Sequence, residues 1–216
     1  MEDDQMTEMA TQIASDLLDI EAVTFSPSQP YQWASGILAP IYTDNRKTIG
    51  FPTVRSHIAD GLATLIDHEY PEATVIAGVA TAGIPHAALV ADRLQLPMSY
   101  VRSKPKDHGT GRQIEGQLTV SDRVVLIDDL ISTGGSVLQA AEAVRQAGAT
   151  VLGVAAIFSY ELPDSTQNFA NAKTILHTLT TYSTLVEQAQ KAGNMTLEEV
   201  QSLSKWREDP WHWQSN

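Results

Sequence analysis

The chain has 216 residues, 43% of them hydrophobic, and a formal net charge of −12. This length suits one compact domain, and this hydrophobic content is enough for a core, which excludes intrinsic disorder. Because the chain has no cysteine, a disulfide framework, a Cys-ligated metal centre and a thiolate nucleophile are also excluded. The acidic balance argues against nucleic-acid binding. Short apolar runs and an acidic N-terminus argue against a membrane span or leader, and predict a soluble cytoplasmic protein.

The predicted elements divide the chain into an irregular first part and a regular second part. An amphipathic helix over 7–20 is followed by Pro- and Gly-rich short strands and turns over 25–52, and by a helix over 53–70. Apolar strands are then predicted at 74–80, 97–101, 123–127, 150–160 and 173–179, with helices at 84–94 and 135–147. This alternation predicts an α/β fold, a Rossmann-like parallel sheet flanked by helices. Two short helices within 183–203 and a docked aromatic extension at 206–213 complete the chain.

Three predicted strand ends carry unusual sequence, at 80–83, 102–116 and 128–136. In open parallel sheets, ligands bind at the carboxyl ends of the strands. The second of these segments has four of the 14 Lys and Arg residues of the chain, and also His108. Such a local cationic patch indicates either a small anionic ligand or a solvated basic loop.

The segment 124–136 is the most informative motif. A buried strand delivers Asp128 and Asp129 to the sheet edge, and the turn 132–135 leads directly into a helix. Unpaired N–H groups at a helix N-terminus favour a phosphate, while carboxylates suit hydroxyl groups or Mg²⁺. A ligand with a phosphate and a nearby diol is a ribose 5-phosphate. The alternative, an ordinary strand–turn–helix with a capping serine, leaves two adjacent acids at the end of a buried strand unexplained.

This segment resembles the phosphoribosyl-pyrophosphate signature of the type I phosphoribosyltransferases along its full length. The resemblance implies their fold, with a small N-terminal hood. It also implies one domain over 1–216, with the core sheet at 72–180, and with the hood and peripheral elements formed by 1–52 and the C-terminal tail.

Further segments resemble the orotate phosphoribosyltransferase family, in its bacterial short form. They are 35–46, 78–85, 100–109, 114–116 and 181–185. Two positions depart from the pattern of some members, which carry Lys where this chain has Ala34 and Ser103. These departures leave the contacts to orotate less defined than the contacts to the donor.

The resemblance implies a magnesium-dependent enzyme of pyrimidine biosynthesis. It would transfer ribose 5-phosphate from phosphoribosyl pyrophosphate to orotate, giving orotidine 5′-phosphate and pyrophosphate, as a homodimer with shared active sites. The implied catalytic residues are Lys106, His108, Asp128 and Asp129. The implied donor-binding residues are Thr81, Ala82, Gly83, Arg102, Lys106, His108, Asp128, Asp129, Leu130, Ile131, Ser132, Thr133, Gly134, Gly135 and Ser136. Ser132 is the implied orotate contact, and Mg²⁺ is expected to be held mainly by substrate and water.

Three other functions remain open at this point. A purine-base phosphoribosyltransferase shares the donor motif, although the segments 35–46 and 102–116 favour orotate. A transcriptional regulator of the same fold would need a basic surface, which the net charge of −12 argues against. A pyrophosphokinase would need an ATP site, for which the sequence has no motif.

The role of Arg46 is also open. Arg46 can contact the base region or form a salt bridge, and the salt bridge is favoured.

Overall fold

The computed structural model describes residues 2–33, 35–104 and 113–214. The helices are α1 (Glu2–Asp19), α2 (Pro52–Glu69), α3 (Gly83–Leu94), α4 (Gly135–Gln146), α5 (Pro163–Asn171), α6 (Tyr182–Lys191) and α7 (Leu197–Glu208), with a 3-10 helix at Asn45–Gly50. The strands are β1 (Val23–Phe25), β2 (Tyr31–Gln32), β3 (Leu38–Ala39), β4 (Ile41–Thr43), β5 (Val75–Val79), β6 (Met98–Val101), β7 (Ile114–Gly116), β8 (Arg123–Ile131), β9 (Thr150–Ser159) and β10 (Leu176–Thr181).

Six strands form the central sheet, in the order β10-β9-β8-β5-β6-β7. All neighbours pair in parallel except β6 and β7, which are antiparallel. The predicted α/β class is therefore confirmed, with one antiparallel edge strand that the sequence pattern did not indicate. After β6 and the edge strand β7, the chain crosses to the other side of β5 to form β8, so the strand order reverses between β5 and β8. This is the point at which ligands bind in open α/β sheets.

The two faces of the sheet are covered by different helices because successive side chains of a strand point to opposite faces. On β8, Val125 and Ile127 join the core cluster that includes α1, α2, α3 and α6. Val124 and Leu126 join the cluster on the other face, beneath α4 and α5. A strand buried on both faces must be apolar throughout, which is why this segment could be recognised as part of a parallel sheet.

The hood consists of two small antiparallel sheets, in which β1 pairs with β4 and β2 with β3, together with the 3-10 helix that follows β4. The C-terminal helix α7 holds the hood, because the Trp206 indole Nε1 donates to the Leu38 carbonyl at 2.9 Å. Trp206 is fully buried and packs against Trp33, with ring centroids 5.5 Å apart. Trp206, at the start of the predicted aromatic extension, is therefore docked, but it belongs to a helix, and Trp211 in the same segment is 52% exposed.

Three local features differ from the predicted elements. Helix α5 lies in a stretch for which no element was predicted. Strand β8 does not end at Ile127 but pairs with β9 as far as Ile131. Strand β7 lies in the Gly-rich stretch 104–116, because Ile114 to Gly116 pair with β6. In the described part of the chain, no helix is both long and apolar enough to span a membrane.

Candidate active site

A cleft of about 310 Å³ opens where the strand order reverses. Three segments that are far apart in the chain line it. The hood contributes 43–46, the end of β5 and the turn after it contribute 79–82, and β8 with the start of α4 contributes 128–130 and Ser136. Two of the three strand ends singled out in the sequence therefore meet in one place.

Asp128 and Asp129 lie within β8 and not after it, since Asp128 is in register with Ala156 and the pairing continues beyond them. Asp128 is only 6% exposed, and its Oδ1 accepts from the Asp129 backbone N–H at 3.0 Å. Burial raises the pKa of Asp128 well above its ordinary value, and the adjacent charge of Asp129 raises it further. Burial likewise raises the pKa of Asp129, while Arg46 opposes that shift. The cleft thus holds two carboxyl groups whose negative charge is poorly solvated by the protein around them.

The hood is fixed to this strand by a chain of polar contacts. The Asn45 side chain is buried, and its Nδ2 donates to the Asp129 carbonyl at 2.6 Å. Thr48 Oγ1 donates to the Asn45 carbonyl at 2.6 Å and lies 3.4 Å from His86 Nε2 on α3. Because His86 is completely buried, its pKa falls to about 4, so the ring is neutral. The 3-10 helix is therefore anchored to both the sheet and α3.

The N-termini of α3 and α4 adjoin the cleft. Neither helix has a side-chain cap on its first N–H groups among the described residues. At Gly83, a Cβ would collide with the Ile127 carbonyl, so a residue without a side chain lets α3 approach β8 closely. The peptide bond before Thr81 is cis. Uncapped N–H groups at two helix N-termini can bind anionic groups.

The turn between β8 and α4 is supported by α5. Gly134 has φ +81°, a conformation that favours glycine, and a Cβ there would lie 2.5 Å from the Phe169 ring. The Asn168 Nδ2 donates to the Thr133 carbonyl at 3.0 Å. A helix that the sequence did not indicate therefore determines the shape of the turn.

The residues predicted for the site are placed in three groups. Those that line the cleft are Thr81, Ala82, Asp128, Asp129, Leu130 and Ser136. Those that adjoin it without lining it are Gly83, Ile131, Ser132, Thr133, Gly134 and Gly135. Arg102 directly follows β6, where its backbone N–H donates to the Gln113 carbonyl at 2.9 Å. Lys106 and His108 lie outside the described residues.

Sequence reasoning missed three hood residues, Thr43, Asp44 and Asn45, which line the cleft beside Arg46. The segment was recognised as short strands and turns, but no local pattern indicated that it folds over β8. The salt bridge favoured for Arg46 is present, since its Nε lies 2.6 Å from Asp44 Oδ1. Within the described residues, no group of three or more His, Cys, Asp or Glu side chains is arranged to hold a metal ion.

Comparison with known proteins identifies the family of the chain. A family profile, the phosphoribosyl transferase domain, matches residues 53–178, which is more than half of the chain. An orotate phosphoribosyltransferase of Levilactobacillus brevis is 72% identical over 206 residues, which cover 95% of this chain and 98% of the relative. Another, of Lactiplantibacillus plantarum, is 60% identical over 208 residues, which cover 96% of this chain and 98% of the relative.

A solved structure supports the same assignment. The crystal structure of orotate phosphoribosyltransferase from Aeropyrum pernix superposes with a TM-score of 0.73 at 29% identity, covering 85% of this chain and 99% of that one. Both the match to the domain and the long, closely similar relatives lead to one assignment: the chain belongs to the orotate phosphoribosyltransferase family, within the type I phosphoribosyltransferases.

Proposed function

We propose that this chain catalyses the magnesium-dependent transfer of ribose 5-phosphate from phosphoribosyl pyrophosphate to orotate, in pyrimidine biosynthesis. The products are orotidine 5′-phosphate and pyrophosphate. The observation that carries the proposal is the meeting of two adjacent carboxylates, Asp128 buried and Asp129 half-buried, with two helix N-termini that no described side chain caps. The names of the closely similar relatives support orotate as the acceptor.

The ribose 5-phosphate end of the donor suits the β8–α4 side of the cleft. Asp128 and Asp129 would accept hydrogen bonds from the ribose hydroxyl groups, since an ionised carboxylate is an acceptor only. The segment 130–136 would surround the 5-phosphate, with backbone N–H groups at the start of α4 directed at it. The Gly134 conformation and the contact from Asn168 to Thr133 support the shape of this turn.

The pyrophosphate end suits the start of α3. Thr81, Ala82 and Gly83 would offer backbone donors there, next to the ribose site. Arg102, Lys106 and His108 would supply positive charge and hydrogen bonds over the leaving group, and His108 would donate a proton or a hydrogen bond to it. Ser132 would contact orotate.

The reaction is a substitution at the anomeric carbon. A ring nitrogen of orotate forms the new bond to this carbon and releases its N–H proton to solvent or to the departing pyrophosphate. The bond to the pyrophosphate oxygen breaks, with its electron pair leaving on pyrophosphate. Positive charge develops on the sugar, as in glycoside hydrolysis. The ionised Asp128 and Asp129 would stabilise that charge, while hydrogen bonds from the ribose hydroxyl groups would offset the burial of these carboxylates. The protein contributes mainly position and electrostatic stabilisation.

The donor set of the cleft fits a magnesium ion held only partly by protein. Mg²⁺ retains several waters and commonly takes one or two carboxylates together with substrate phosphates. Asp128 and Asp129 are the paired carboxylates available for this, directly or through ribose oxygens. When bound, the ion supplies positive charge to the pyrophosphate.

We further propose a homodimer in which the segment that contains Lys106 completes the active site of the partner subunit. The test mixes Lys106→Ala chains with Asp128→Asn chains and isolates heterodimers by two affinity tags. We expect the heterodimer to recover up to about half the activity of the wild-type dimer. The reason is that one of its two sites then has both wild-type residues. Verified heterodimers without activity would contradict the shared site.

A single domain with its core sheet at 72–180, and a cytoplasmic location, remain predictions.

The direct test of the reaction follows the absorbance of orotate with purified protein, Mg²⁺ and phosphoribosyl pyrophosphate. Parallel assays use adenine, hypoxanthine, xanthine and uracil. Orotate consumption that requires Mg²⁺ and is lost in Lys106→Ala is the expected result. Reaction of a different base alone would refute orotate as acceptor but leave the donor site intact, and donor binding without any reaction would favour a regulatory protein.

A further inference from the structure

The charges that line the cleft are unbalanced. Three acidic side chains line it, those of Asp44, Asp128 and Asp129. Arg46 is the sole cationic side chain among the described residues that line it. Orotate is itself an anion at neutral pH, since it carries a carboxylate on the ring. A cleft with this lining would repel such an acceptor unless a cation received the carboxylate.

Arg46 is oriented to serve as that cation. Its Nε is 2.6 Å from Asp44 Oδ1, and 65% of its side chain remains exposed. A guanidinium has five N–H donors in a planar fork, so the bond at Nε leaves the two terminal nitrogens able to bind a second carboxylate in bidentate fashion. Asp44 thus fixes the plane of the fork without occupying all of it.

The backbone that carries Arg46 is also held in place. The preceding residue, Asn45, is buried and bonded to the Asp129 carbonyl, so the hood and the proposed ribose site are in direct contact. Thr48 closes the same 3-10 helix on the Asn45 carbonyl. A preorganised donor loses less entropy on binding than a mobile one. The next residue, Lys47, is directed elsewhere, because its Nζ donates to the Glu21 carbonyl at 2.8 Å.

We propose that Arg46 recognises the carboxylate of the acceptor base and thereby selects orotate over neutral pyrimidines and purines. The inference rests on the proposed function, because it assigns the acceptor contact within that reaction. It also accounts for how the chain can bind orotate with Ala34 and Ser103 at positions where some members of the family carry Lys. Arginine suits this role better than lysine because its fork matches the geometry of a carboxylate.

The test compares Arg46→Gln with Lys47→Gln, which removes the same charge from the next residue of the same 3-10 helix. Steady-state constants are measured for orotate, for its neutral carboxamide and for phosphoribosyl pyrophosphate. For Arg46→Gln, KM for orotate should rise roughly 10- to 100-fold, the usual consequence of losing a charge-assisted contact. Its kcat/KM for the carboxamide and its KM for the donor should stay within about twofold of wild type, and Arg46→Lys should lose less than Arg46→Gln.

Each other outcome overturns the inference in a distinguishable way. An equal loss with orotate and with the carboxamide would show a structural role for Arg46. A rise in the KM of the donor as large as that of orotate would show that Arg46 serves to balance Asp129. An unchanged KM for orotate, or a loss in Lys47→Gln as large as in Arg46→Gln, would place the carboxylate elsewhere. If the wild-type protein does not consume orotate, the proposed function itself fails.

Discussion

At the scale of single residues, Asp128 combines a cost for the unliganded protein with a role in the proposed reaction. Burial raises its pKa, so the ionised carboxylate destabilises the fold once the pH is above the value for the unfolded chain. The free energy of unfolding therefore falls as the pH rises between the pKa of the unfolded state and that of the folded state. A group that costs stability and lies in a cleft is typical of functional sites.

We expect Asp128→Asn to stabilise the unliganded protein and to lower kcat/KM by about 10²- to 10³-fold, the scale of losing one electrostatic contact to a transition state. The amide oxygen can still accept from the Asp129 N–H, so the local backbone is preserved. Each kcal/mol gained should raise Tm by roughly 2–4 °C in a chain of this length. Calorimetry measures the change in Tm, and steady-state kinetics measures the change in kcat/KM. The exposed Asp67→Asn is the control. A lower Tm for Asp128→Asn would contradict the electrostatic account.

His86 gives a pH dependence of the opposite sign. Its pKa is lowered to about 4 by burial, so the folded protein holds the ring neutral while the unfolded chain binds a proton below about 6.5. The stability contributed by neutral His86 is complete above that pH and is lost progressively as the pH falls from about 6.5 towards 4. Denaturation across this interval should therefore be less steeply pH-dependent in His86→Asn than in wild type. The exposed His212→Asn should follow the wild-type curve; a His86→Asn curve parallel to wild type would contradict the prediction.

At the scale of elements, the turn between β8 and α4 offers a matched pair of glycines. Gly134→Ala must adopt φ near +81° with its Cβ 2.5 Å from the Phe169 ring, whereas a Cβ at Gly135 would meet only Thr133 Oγ1, at 3.9 Å. The left-handed conformation alone costs roughly 1–2 kcal/mol for a residue with a side chain, and the contact with Phe169 adds to it. We expect Gly134→Ala to lower the free energy of unfolding by at least that amount, and Gly135→Ala to leave it nearly unchanged. Urea denaturation of the two variants measures this, and equal effects would disprove it.

The elements that could be predicted from the sequence are those whose burial determines their composition. Strands β5, β8 and β9 are apolar because they are covered on both faces, and α3 and α4 have the corresponding helical period. Helix α5 was missed because Pro163–Asn171 is rich in Ser, Thr and Asn, which are weak helix formers. Its stability comes from tertiary contacts such as those of Phe169 beneath Gly134, which no local pattern reports.

The candidate site was predictable to a similar degree. The acidic pair and the turn after it form one continuous motif, so their chemistry could be inferred before the fold was known. The extension of β8 through Asp129 was not predicted, since the apolar pattern ends at Ile127 while backbone pairing with β9 continues. The hood contact was equally inaccessible, because Asn45 and Asp129 are 84 residues apart in the chain.

At the scale of the whole molecule, the hood depends on the C-terminal helix. Trp206 is fully buried, and its ring lies 6.0 Å from that of Tyr160, between the end of the sheet and the hood. Trp206→Ala should lower the free energy of unfolding by about 3–5 kcal/mol, the usual cost of deleting a buried large aromatic side chain. Trp211→Ala is the control, because Trp211 is 52% exposed and its Nε1 donates to Asp164. Chemical denaturation should show that the control loses less than about 1 kcal/mol of the free energy of unfolding. Similar losses in both variants would contradict the packing role of Trp206.

The bond between Trp206 and Leu38 also has a consequence for synthesis on the ribosome. The two residues are separated by 168 positions, so the hood emerges long before the helix that covers it. At translation rates of about 5–20 residues per second, that interval lasts roughly ten to thirty seconds. Throughout it, the Leu38 carbonyl and the Trp33 ring lack their contacts with Trp206, although Tyr160, the other aromatic neighbour of Trp33, has already been synthesised. The hood can therefore reach its final packing only after helix α7 has been made.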